Sequence, residues 1–147
     1  MPDSSDFSGI RMDADCAYRH CVGAIHGSVT LAVQRDMLWI SVTKEAAGED
    51  LLECFRHALA SGHLATKMPT LVDLSSFTGN VDWQAIDQIR QLAPWGTGKG
   101  PRSRVAYVSR DSFFRFMLKI VEVLFPMTSH RQFDDQAHAL EWLGEQR

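Results

Sequence analysis

Residues 70–83 read TLVDLSSFTGNVDW, and this stretch limits the architecture more than any other part of the chain. Leu71, Val72 and Leu74 form a short apolar run broken only by Asp73, the pattern of a strand covered on both faces, which belongs in the middle of a sheet. A polar loop follows, and a helical pattern then begins at Trp83 with Asp82 well placed as its N-cap. Strand, loop and helix start together put Asp73, Ser75, Ser76, Thr78, Asn80 and Asp82 beside a helix N-terminus. Backbone N–H groups and the helix dipole favour anionic partners there, so these six residues form the candidate partner- or ligand-binding loop.

The remaining elements follow from periodicity. Residues 18–25 read as a short strand that Gly27 interrupts, and Val29, Leu31 and Val33 then alternate with polar or small residues up to an Arg35-Asp36 connection. Leu38, Ile40 and Val42 alternate in the same way, predicting the second member of an antiparallel pair with one buried face. Leu51, Leu52, Phe55, Ala58 and Leu59 recur at helical spacing over 49–61, and Gly62 supplies a stop. The helix opened by Trp83 carries Ile86, Ile89 and Ala93 on one stripe and ends at Pro94.

Val105 to Val108 predicts another strand, and Asp111 or Ser112 caps a third helix bounded by Pro126. A short strand near 130–133 leads through Asp134 and Asp135 into a last helix bearing Ala139, Leu140, Trp142 and Leu143. Parallel strands need crossover connections, so the order predicts an α/β domain: a mixed sheet of about five strands with an antiparallel N-terminal pair, and about four helices on its faces.

With 147 residues and 45% hydrophobic composition, the chain suits one domain with a real core. Residues 1–16 are rich in Asp, Ser and Gly and read as a flexible tail, leaving residues 17–147 as the domain. A net charge of -3, from 15 basic and 18 acidic residues, lacks the electrostatic footprint of a nucleic-acid binder. No leader-like or membrane-spanning apolar run is seen, and three cysteines, Cys16, Cys21 and Cys54, form no disulfide framework. The expectation is a cytoplasmic protein without disulfides.

No motif completes an active site. The loop Gly96-Thr97-Gly98-Lys99-Gly100 lacks the Ser or Thr that a phosphate-binding loop carries after Lys, and it runs from helix to strand. Lys99, Arg102, Arg104 and Arg110 are solvated charges unless they converge into an anion-attracting rim. Cys16, Cys21, Cys54, His20 and His57 have no zinc-site spacing. Ser75, Ser76 and Cys54 stand in no nucleophile motif, so no catalytic residue, metal ligand or cofactor is assigned. The third helix stands apart because Phe113, Phe114, Met117 and Leu118 belong to an apolar surface wider than one face. Such a helix is buried on two sides, forms an interface, or lines an apolar ligand cavity together with Trp83.

Three segments, LVDLSSFTG, RVAYVS and the acidic FDDQAHALEWL, give the chain from about Val29 to Leu143 a resemblance to the STAS domain, in particular to its SpoIIAA-like branch of bacterial single-domain proteins. The resemblance implies a non-catalytic regulatory or protein-interaction module acting on a protein partner or on a second copy of itself. In antagonists of that kind a Ser at a DSSG-type helix start is phosphorylated; the matching position here falls at or near Asp82, within Asn80-Val81-Asp82-Trp83. Control by phosphorylation at the usual Ser is therefore not expected. The broad fold is also similar to CRAL-TRIO lipid-transfer domains, which implies the alternative of an apolar small molecule or lipid as ligand.

Overall fold

The computed structural model describes residues 16–65, 67–92 and 103–145. Six strands form one sheet in the order β1-β2-β3-β4-β5-β6: Cys16–Ala24, Gly27–Gln34, Met37–Val42, Thr70–Asp73, Ser103–Val108 and Thr128–Phe133. The first three form an antiparallel meander, and β3 to β6 are joined in parallel through α1 (Gly48–Ser61), α2 (Trp83–Leu92) and α3 (Ser112–Leu124). Helix α4 (Gln136–Gly144) follows β6. The predicted mixed α/β sheet is thus present, with six strands in place of about five, and β4 lies inside the sheet between β3 and β5.

Local chemistry accounts for the joints. Arg35 and Asp36 both take positive φ, 54° and 60°, the backbone of a two-residue hairpin whose twist matches the flanking strands. Asp111 accepts from the Phe113 amide at 2.9 Å and Asp135 from the His138 amide at 2.9 Å, capping α3 and α4. Gly62, at φ 81°, closes α1 in the left-handed conformation that glycine adopts without a Cβ penalty. Cys16, the last residue of the predicted tail, is the first residue of β1. Residues 1–15, Ala93, Pro94, Trp95, the Gly96 to Gly100 loop and Arg102 lie outside the described residues.

Successive crossovers of one hand to the next strand place their helices on the same side of a sheet. On that face Val29, Leu31, Leu38 and Ile40 pack with Leu52, Phe55 and Ala58 of α1, and Val105 and Tyr107 pack with Phe114, Leu118 and Val121 of α3. The opposite face carries Ala32, Trp39, Leu71, Ala106 and Val108 against Ala139 and Leu143 of α4. Strands β2 and β3 therefore depart from the one-sided burial that alternation predicted. Every residue of β3 is buried, and so are the polar alternates Thr30 and Gln34 on β2 and Ser41 on β3. A sheet with core on both sides leaves its inner strands no solvent face, whatever the side-chain pattern.

Coverage of the helix-rich face is uneven. Helix α2 leans on α1 while α3 lies against β6, and the two diverge above β4 and β5. This divergence positions the site.

Candidate functional site: an apolar cavity beside the strand-to-helix loop

Between α2 and α3 lies a cavity of about 240 Å³. Its floor is the sheet, through Ile40, Val72, Val105 and Tyr107; its walls include Phe55 of α1, Trp83 and Ile86 of α2, and Phe114 and Met117 of α3. The short β4 strand aims Thr70 and Val72 at this face because successive side chains alternate, while Leu71 joins the α4 core on the other side. Phe77 and the loop residues 78–82 form the rim.

One end of the cavity is polar. The Tyr107 hydroxyl and His130 Nδ1 are 2.9 Å apart, His130 Nε2 meets the Thr128 hydroxyl, and Thr128 Oγ1 donates to the Phe125 carbonyl at 3.0 Å. A neutral His130 carrying its proton on Nε2 satisfies the whole chain: Tyr107 donates to Nδ1, Nε2–H donates to Thr128, and Thr128 donates to Phe125. Burial holds the His130 pKa below the ordinary histidine value, with the Phe125 carbonyl and Glu122 pulling the other way. Burial also pushes the Tyr107 phenol up, with Glu122 adding to the shift, so both groups face the cavity uncharged.

The loop itself is tied down through its backbone. Lys44, in the left-handed region at φ 51°, donates its N–H to the Ser76 carbonyl at 2.7 Å and accepts from the Thr78 and Gly79 amides at 2.7 and 3.1 Å. Asp73 Oδ1 accepts from the Ser75 amide and hydroxyl at 3.0 and 2.6 Å, an Asx turn at the end of β4. Asp82 Oδ1 accepts from the Gln84 and Ala85 amides, each at 3.1 Å, which is the predicted N-cap of α2. Ser75, Ser76, Thr78, Asn80 and Asp82 are exposed.

These residues do not converge on one site. Thr78, Asn80 and Asp82 border the apolar cavity, whereas Asp73 and Ser75 border a second cavity, of about 400 Å³, with Arg110, Asp134, Asp135 and Gln136. Ser76 borders neither cavity, and its carbonyl serves the Lys44 clamp. Of the apolar candidates, Trp83, Phe114 and Met117 line the cavity; Leu118 is buried in the α3 core without reaching it, and Phe113 points outward. His130, Tyr107, Phe55 and Phe77 were not foreseen as lining residues, because their convergence depends on pairing across β3, β4, β5 and β6 and on the packing of α1.

The other candidate groups resolve as architecture. Arg104, at the start of β5, donates to the Trp142 carbonyl at 2.7 Å and to Glu145 at 3.2 Å, at the far end of the strand from Arg110. His20 stacks on His57 with ring centroids 3.7 Å apart, and His57 Nδ1 shares a hydrogen bond of 2.6 Å with the Tyr18 hydroxyl. Among the described residues no three His, Cys, Asp or Glu side chains gather closely enough to hold a metal, and no helix is long and apolar enough to cross a membrane.

A crystal structure of an uncharacterised protein from the DUF3478 family of Shewanella loihica PV-4, described as having a SpoIIAA-like fold, superposes with a TM-score of 0.55 over 92% of this chain and 99% of that one, at 17% identity. The chain has a SpoIIAA-like fold. No protein-family model and no curated protein matches it. The six-stranded sheet with its antiparallel start and four helices is the frame on which the SpoIIAA-like resemblance of LVDLSSFTG and RVAYVS rests: the two segments lie on the adjacent parallel strands β4 and β5 and the turns that follow them.

Proposed function

We propose that this SpoIIAA-like domain is a non-catalytic binding module that holds a small apolar molecule between α2 and α3. The observation that carries the reading is the 240 Å³ cavity, walled by Trp83, Phe114, Met117 and Phe55, with Tyr107, His130 and Thr128 at one end and Asn80, Asp82 and Asp111 also in its lining. Its volume lies between a cavity of roughly 150 Å³ that admits benzene and the roughly 300 Å³ at which drug-sized pockets begin. The ligand class is accordingly a molecule of one or two rings or a short acyl chain, with at most one polar end. Native mass spectrometry after gentle purification, followed by calorimetric titration with indole and with octanoic acid, tests it. Saturable binding that Met117→Trp abolishes supports the reading; no adduct and no saturable heat with either probe overturns it.

A second reading is favoured by the loop. Its exposed side chains Ser75, Ser76, Thr78, Asn80 and Asp82 stand on a backbone held by Lys44, so a protein partner would meet a preordered surface at little entropic cost. Asp82 is already negative at the helix start, which makes such a module constitutive instead of phosphorylation-controlled. Pull-downs with Ser76→Arg and Asp82→Ser test this: loss of a captured partner with either variant supports it, and an unchanged set of partners counts against it.

A further inference from the structure

The hydrogen bonds at the polar end of the cavity run in one direction. Two side chains meet at the Phe125 carbonyl: Thr128 Oγ1 donates to it at 3.0 Å, and His130 Nε2 stands 3.3 Å from it. Nε2 also meets the Thr128 oxygen, whose own hydrogen is already directed at the carbonyl. A carbonyl oxygen only accepts, so Nε2 is the nitrogen that carries the ring proton, and Nδ1 of the neutral ring is left with a lone pair. Tyr107, 2.9 Å from Nδ1, therefore directs its one hydrogen at the histidine, and its hydroxyl keeps acceptor capacity only. Tyr107, His130 and Thr128 lie together in the cavity lining. From this chain of bonds we propose that the cavity selects a neutral apolar molecule with one N–H or O–H donor, such as an indole- or phenol-like ring, which donates to Tyr107 Oη; this specifies, and rests on, the ligand reading above.

The rest of the lining favours the same ligand. Thr70 Oγ1 donates to the Met68 carbonyl at 3.1 Å, so its oxygen too is left with lone pairs. Asp82 and Asp111 add two carboxylates, which only accept when ionised, and among the described residues no lysine or arginine lines the cavity. Thr78, Asn80 and Ser109 can donate or accept and exclude neither kind of ligand. A carboxylate ligand would meet acceptors at the inner end and like charge elsewhere in the lining, with no cation to offset its lost hydration. A protonated amine would suit the carboxylates but would give up its own hydration on entering apolar walls. A ring with no donor leaves the buried Tyr107 oxygen unmatched, the situation by which hydrogen-bonding sites reject close analogues. A neutral donor meets none of these penalties. Burial of His130 holds the ring neutral at neutral pH and so preserves the direction of the bonds.

Indole and benzofuran share an outline and differ in an N–H against an oxygen, so calorimetric titration of the full chain with each, and with octanoate as the anionic probe, tests the selection at neutral pH. The expected result is that indole binds about tenfold tighter than benzofuran, the worth of one well-made hydrogen bond, although benzofuran is the more apolar ring. Tyr107→Phe should narrow the difference to about twofold by weakening indole alone, an unchanged benzofuran affinity showing that the cavity is intact. Nitrogen NMR of the histidine rings in the wild-type chain reads the direction of the bonds without ligand or variant: the His130 proton belongs on Nε2. Benzofuran or octanoate binding as tightly as indole, or a His130 protonated on Nδ1 alone, overturns the donor selection and leaves the ligand reading standing. An indole preference that Tyr107→Phe does not reduce overturns it equally, because another acceptor would then hold the N–H. No saturable heat with any of the three probes overturns the ligand reading and the donor selection with it.

Discussion

The Asp82 side chain lies directly over the α-carbon of Gly48: a β-carbon there would stand 2.5 Å from the β-carbon of Asp82 and 2.7 Å from its Oδ2. The start of α1 and the start of α2 are thereby locked together, and the residue at the position a SpoIIAA-like switch would occupy is held by two capping bonds on one side and by a backbone on the other.

Gly→Ala near a helix start ordinarily stabilises by up to about 1 kcal/mol. Gly48→Ala is expected to destabilise by about 1–3 kcal/mol, the usual cost of forcing an extra methyl into occupied space. Asp82→Gly should cost about a few tenths of a kcal/mol through the lost cap, and the double variant should cost less than the two together because the Asp82 β-carbon, the nearest clashing atom, has gone. Urea unfolding of the four proteins measures the cycle; additive losses would contradict the contact.

Adjacent phenylalanines on α3 should behave as opposites. Phe114 is buried against Tyr107 and Val105, so Phe114→Ala is expected to cost about 3–5 kcal/mol. Phe113 faces outward, and Phe113→Ala should fall within about 0.5 kcal/mol. Denaturant midpoints give both numbers.

The histidines predict opposite pH trends. His130 has its pKa lowered chiefly by burial, so the unfolded chain binds its proton more readily than the folded one. Its contribution is fully present above the unfolded value of about 6.5 and is lost as pH falls through the folded pKa. His138, raised chiefly by its hydrogen bond to Asp135, favours folding below about 6.5 and loses that contribution as pH rises through its folded pKa. Proton NMR titration should place the His130 midpoint below and the His138 midpoint above that of an unfolded peptide; His130→Gln should flatten the acid limb of stability against pH.

Thiol reactivity should separate the cysteines. Cys54 is buried on α1 with its Sγ directed at the Val29 carbonyl, 3.5 Å away, and burial pushes its pKa up to about 12. Cys21 is exposed on β1. A disulfide-exchange reagent at neutral pH should label Cys21 rapidly and reach Cys54 only on unfolding, as peptide mapping would show; fast labelling of native Cys54 would contradict its burial.

Much of this fold could be read locally. The alternation through Val29, Leu31 and Val33 and through Leu38, Ile40 and Val42 marked the hairpin, and the carboxylates at Asp82, Asp111 and Asp135 marked three helix starts, because periodicity and capping act over a few residues. The candidate loop was legible as a place but not as a site. Sequence proximity grouped Asp73 and Ser75 with Asp82, yet the end of β4 turns the first two towards α4 and the last towards α1 and α2. Nor does the alternation in β3 distinguish a solvated face from one that a second layer buries, which is why the coverage around Ser41 was missed.

By itself, then, the sequence determined the kinds and order of the elements, the central place of β4 and the two-faced apolar surface of α3, since each follows from neighbours a few residues apart. Tertiary structure alone decided that α2 leans on α1 and α3 on β6, that the space between them becomes a cavity joining Trp83 to Phe114 and His130, and that Phe113 and Phe114 face opposite ways. The physical reason is distance along the chain: the cavity is enclosed by residues contributed from β3 through β6, and where helices diverge is set by packing across the whole sheet, which no local pattern encodes.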